Sequence, residues 1–161
     1  MTIRRRVLLG LFASGVAAFS SSPEASRAQE APRKLPALIG TWRVVFERPP
    51  GPPGTALVTF TSDGTSVRTT DRHPVMSPSH GVWVQLSEHE FEATWHAFQF
   101  DEKGAYIGNQ KASFRVRFGS DLSRFTGDAK GTNLAFDGAV RATIVGPFQG
   151  TRVVVEPYVG P

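Results

Sequence analysis

The residues best able to do chemistry gather in one stretch of the chain. All four histidines, His73, His80, His89 and His96, lie there, and Tyr106 follows closely. Imidazoles in a group raise two possibilities. Metal ligation needs three or four ligands converging on one ion. Acid–base work needs a side chain that titrates near neutral pH. His89-Glu90 is followed by Phe91-Glu92-Ala93, so no H-E-x-x-H pair sets two ligands on one helix face. Read as strands, residues 80–86 and 91–100 put His80 and His96 on opposite faces. His89 then falls in the far turn, and only His73, in the preceding loop, comes within reach of His80. The expectation is no metal and no cofactor. What remains is His80 with Tyr106, either as contacts to a bound molecule or as an acid–base pair in an apolar cavity. The plain alternative is a strand-start histidine bonded to a loop carbonyl. There is no G-x-S-x-G elbow and no cysteine, which removes serine-elbow and thiolate chemistry.

The elements that would position these residues are strands. After Pro36, short apolar/polar alternations are separated by turn residues, and no helical period is sustained. The runs are 40–47, 55–61, 65–70 after the Asp63-Gly64 hairpin signal, 80–86, 91–100 and 105–118, then 124–129, 134–136, 139–145 and 151–156. A meander of about eight or nine strands without a crossover helix predicts an all-β, antiparallel up-and-down barrel, which removes exposed edges. A β-sandwich is the alternative.

Two hairpins carry the site. A four-residue loop at Ser87–Glu90 pairs Leu86 with Phe91, Val84 with Ala93, Val82 with Trp95 and His80 with Ala97. A second loop at Asp101–Gly104 pairs Gln99 with Tyr106, Ala97 with Gly108, Trp95 with Gln110 and Phe91 with Phe114. Inward positions are large near Phe91 and small near Ala97 and Gly108, so one end is expected to be filled and the other hollow. The hollow end would be lined by His80, Trp95, Ala97, Gln99, Tyr106, Gly108 and Gln110, a mostly apolar pocket with a few polar groups. Trp83, Phe98 and Phe100 would point outward, as an interface for weak homodimerisation. A β-bulge near His96 would instead turn Phe98 and Phe100 inward.

The N-terminus predicts export. Arg4–Arg6, the apolar run Val7–Phe19 and Ser26-Arg27-Ala28 have the layout of a signal peptide over residues 1–28, of the Sec or twin-arginine kind. Residues 29–37 read as a flexible leader and 38–161 as one domain. The chain has 18 basic and 14 acidic residues; residues 1–28 hold four and one of them, leaving 14 and 13. That balance argues against nucleic-acid binding. The apolar run is too short for a comfortable membrane span, so the mature chain is expected to lack one. Its destination is the periplasm or the exterior.

Gly40-Thr41-Trp42 on the first strand and Gly150-Thr151-Arg152 on the last resemble the G-x-W signature and late arginine of lipocalins and other calycin barrels. With Phe60-x-x-Asp63-Gly64, Ser77-Pro78-Ser79-His80-Gly81-Val82-Trp83 and Phe125-x-Gly127, the chain resembles exported lipocalin-like proteins of bacteria. The resemblance implies that Trp42 closes the barrel floor and that Arg152 packs over it. It brings no established activity. The leading expectation is a barrel that binds a small hydrophobic molecule at its open end. The alternatives are a small isomerase or cyclase using His80 and Tyr106, and a structural envelope protein.

Overall fold

The computed structural model describes residues 35–160 apart from Pro49 and His73. The signal segment, and any approach of His73 to His80, lie outside the described residues. Eight strands follow in order: β1 (Gly40–Phe46), β2 (Gly54–Phe60), β3 (Thr65–Thr70), β4 (Ser79–Gln85), β5 (Glu90–Phe100), β6 (Tyr106–Phe118), β7 (Arg124–Ala135) and β8 (Val140–Arg152). Each pairs antiparallel with the next, and β8 pairs with β1, so the sheet closes into an up-and-down barrel. No helix occurs among the described residues.

One end of the barrel is packed solid with rings. The indole of Trp42 meets Phe125 at 4.8 Å and Phe118 at 5.5 Å between centroids, and Phe118 meets Phe91 at 5.8 Å. Trp83 and Phe60 continue the layer. Such contacts add to area burial through edge-to-face geometry. Arg152 lies over Trp42, its guanidinium carbon 4.2 Å from the ring centroid. It also donates from Nη1 to the Ile39 carbonyl at 2.8 Å and from Nη2 to the Ala37 carbonyl. Gly40 adopts φ +127°, and a Cβ there would stand 2.7 Å from Arg152 Nη1. The glycine of the G-x-W triplet therefore serves both the backbone and the arginine's position.

The β4–β5 register differs from expectation by one residue. Gln85 pairs with Phe91, Trp83 with Ala93, Gly81 with Trp95 and His80 with His96. The cause is the connection. Leu86 and Ser87 both donate to the Glu90 carbonyl, at 2.8 and 3.2 Å, which consumes one more residue than a four-residue loop. A one-residue slip exchanges the faces. Trp83 is thus inside at 8% exposure, while Val82 is outside at 61%. Trp83 donates to the Thr61 carbonyl at 3.1 Å and belongs to the core, so it is not part of an outer interface.

The β5–β6 register moves by two, which keeps the faces: Phe91 opposes Val116, Ala93 Phe114, Trp95 Ala112, Ala97 Gln110 and Gln99 Gly108. The irregularity sits at Gln99/Phe100, not near His96, and it carries Tyr106 to the outside. Two expected chain breaks are absent. β7 runs through Gly131, and β8 runs through Gly146-Pro147. Before Phe148, β8 has no β1 partner, so Pro147 sits on a free edge where its missing N–H is tolerated.

Candidate functional site

The end opposite the aromatic floor holds a cavity of about 120 Å³. Its walls are mostly apolar, including Val44, Val58, Trp95, Phe114 and Phe148, with Arg68 and Gln110 among them. The rim carries Glu47, Arg48 and Arg72 on one side and Ile144, Gly146 and Pro147 on the other.

Strand alternation places each group. On β2 the inward residues are Ala56, Val58 and Phe60, and their β3 partners are Thr70, Arg68 and Ser66. β3 therefore turns a polar face to the interior. Ser66 is satisfied by Trp95, whose Nε1 donates to its hydroxyl at 2.6 Å. The indole of Trp95 lies against Gly81, where a Cβ would be 2.0 Å from its Cδ1 and 2.2 Å from the Thr94 carbonyl oxygen. Only glycine fits there, which gives the His80-Gly81 dipeptide a packing role. Arg68 donates from Nε to Ser79 Oγ at 3.2 Å and from Nη2 to Gln110 Oε1 at 3.1 Å. Desolvation lowers its pKa to about 10, so it remains charged at neutral pH.

Glycines make the room. At Gly131 an added Cβ would meet nothing closer than 3.9 Å, and at Gly146 nothing within 4 Å, although both line the cavity. Neither adopts a left-handed backbone. Glycine is unfavourable inside strands, so its presence at both positions calls for a reason other than geometry. Open interior space is the one visible here.

Of the residues expected from sequence, the structure brings Trp95 and Gln110 to the cavity. Ala97 is buried on the inner face without lining it, and Gly108 sits beside the Gln99/Phe100 irregularity. Gln99 acts one step back: its Nε2 donates to Asn133 Oδ1 at 3.0 Å, and the same oxygen accepts from Gln110 Nε2 at 3.0 Å. His80 and His96 face each other across the outer surface of β4 and β5, both exposed. Tyr106 also lies outside, touching Phe98, Phe100 and Phe136, its hydroxyl donating to Asn109 at 3.0 Å. His80 and Tyr106 therefore do not meet and do not face the cavity. No three His, Asp or Glu side chains gather as a metal-binding group among the described residues. Arg68 was not among the expected residues. Its signal was the Asp63-Gly64 hairpin, because continuing that register places Arg68 opposite Val58 on the inner face.

These features define a closed eight-stranded antiparallel barrel with one filled end and one hollow end, compatible with a lipocalin-like fold. No family model matches this chain, and no curated protein or solved structure matches it either.

Proposed function

We propose that this chain is an exported barrel that binds a small apolar molecule in the cavity bounded by Trp95, Phe114 and Phe148. The observation that carries the reading is the pair of in-strand glycines, Gly131 and Gly146, which leave open space in an apolar interior. Apolar walls with a few placed polar groups are the usual character of ligand sites. The non-catalytic reading is supported by the outward placement of His80 and Tyr106. The export signal, on residues 1–28, is part of the same reading. The test is titration with N-phenyl-1-naphthylamine, a neutral probe that fluoresces in apolar surroundings. Saturable binding to the natural chain, lost in Gly131→Leu/Gly146→Leu, is expected. Undiminished binding to that variant would place the site elsewhere.

A second reading rests on the outer surface. Phe98 (58% exposed) and Phe136 (80% exposed) both contact Tyr106, forming an aromatic patch suited to weak self-association. Sedimentation at high concentration tests it: a monomer–dimer equilibrium abolished by Phe98→Ser supports the patch, and a monomer throughout removes it.

A further inference from the structure

Arg68 is 8% exposed and faces the cavity. A guanidinium taken from water calls for a counter-charge or a full set of acceptors. The partners it has are neutral: the Ser79 hydroxyl, the Gln110 amide oxygen, Met76 Sδ at 3.6 Å from Nη2, and the indole of Trp95, with Cζ 5.1 Å from the ring centroid. These use Nε and Nη2, whereas the two N–H groups of Nη1 make no hydrogen bond among the described residues. The ion pairs found there run from Arg48, Arg115 and Arg117 to acids on partly exposed side chains, and none involves Arg68. The guanidinium is nevertheless firmly oriented. Asn133 Oδ1 accepts from both Gln99 and Gln110, which leaves the Gln110 oxygen turned toward Arg68. The rim adds two further cations, Arg48 and Arg72, beside one acid, Glu47. Arg48 is paired with Asp71 at 2.6 Å, yet its buried Nε has no hydrogen-bond partner among the described residues.

We propose that the cavity's ligand is a small amphipathic acid, an apolar body with one negatively charged headgroup, and that Arg68 holds the headgroup. This rests on the cavity being the binding site. A neutral apolar ligand would leave the buried charge uncompensated, and a cation would be repelled. A multiply charged headgroup would exceed what one guanidinium in apolar walls can neutralise. A carboxylate matches, because its oxygen can accept a charge-assisted hydrogen bond from a free N–H of Nη1.

The test compares octanoate with 1-octanol by calorimetry at neutral pH. Their apolar chains match and only the headgroup charge differs. Octanoate is expected to bind at least about tenfold more tightly, the scale of one charge-assisted hydrogen bond. The preference should persist in high salt, since a buried pair is poorly screened, whereas attraction by the rim alone would fade. Arg68→Met should bring the two affinities together while 1-octanol still binds, and Arg68→Lys should retain part of the difference. The comparison on the natural chain needs no variant and stands even if Arg68→Met fails to fold. Equal binding of acid and alcohol, both lost in Gly131→Leu, would overturn the headgroup assignment and leave the cavity reading intact. A preference that survives Arg68→Met would also overturn it. Binding of neither compound would overturn both.

Discussion

Gly131→Leu separates stability from function, because the two should move in opposite directions. A Cβ at Gly131 meets only the Gln110 amide and the Ile144 carbonyl, both at 3.9 Å, so the substitution starts without a clash. Removing a strand glycine gains about 0.5–1 kcal/mol. Full burial of a leucine side chain would add about 1.5–3 kcal/mol. The cavity opens to solvent at its rim and the side chain loses about 0.5–1 kcal/mol of rotamer freedom, so roughly half of that burial survives. The net is a stabilisation of about 1–2 kcal/mol. For a domain of this size that raises Tm by about 3–8 °C. The four added carbons occupy the cavity, and the affinity for N-phenyl-1-naphthylamine should fall at least about tenfold. Thermal melts by circular dichroism and a probe titration on the same sample read both effects. Gly131→Ala is the control: it gains the strand preference and leaves most of the cavity open. A lower Tm in Gly131→Leu would mean that the space is not there. A higher Tm with unchanged probe binding would mean that the ligand goes elsewhere.

Three other perturbations probe the frame around the cavity. Arg152→Ala removes the cation over Trp42 and the donors to the Ala37 and Ile39 carbonyls; a loss of about 2–4 kcal/mol is expected in urea unfolding, and a loss under about 1 kcal/mol would deny Arg152 its closing role. Gly81→Ala drives a methyl group into Trp95 and the Thr94 carbonyl; it should cost about 1–3 kcal/mol and shift the tryptophan emission, and an unperturbed spectrum would contradict the packing. The Asp63 carboxyl is held down from 3.8 to about 2, chiefly by the Thr61 hydroxyl and then by the Thr65 backbone N–H and hydroxyl. Its folded pKa lies below its unfolded one, so its stabilisation is present above 3.8 and is lost as pH falls toward 2. The stability difference between the natural chain and Asp63→Asn should shrink over that window, and a pH-independent difference would refute the assignment.

The strands were legible because most carry one apolar face, and the closing pair Trp42 and Arg152 stood out through the short motifs at the two ends of the sheet. The β4 register was not legible, because both faces of residues 80–86 are apolar. Val82, Val84 and Leu86 outnumber Trp83, yet the Leu86–Glu90 connection sets the parity and places the indole of Trp83 in the core. Reading the strand one residue out of step turned His80 inward and Trp83 outward. The cavity was obscured for a related reason. Gly131 and Gly146-Pro147 read as chain breaks, whereas in the barrel they are strand residues that leave room. Arg68 was hidden because an arginine between Val67 and Thr69 looks like a solvated position until the β2–β3 register puts it opposite Val58.

The central claim is that the hollow end of the barrel is the binding site, with Arg68 at its headgroup. A crystal structure with 8-bromooctanoate tests it most directly, because the anomalous signal of bromine locates the chain end independently of any assumed pose. The expected result is one bromine within the cavity walled by Trp95, Phe114 and Phe148, with the carboxylate against Arg68. Bromine only on the outer patch of Phe98, Tyr106 and Phe136, or a carboxylate held by the rim arginines with the cavity empty, would contradict the account.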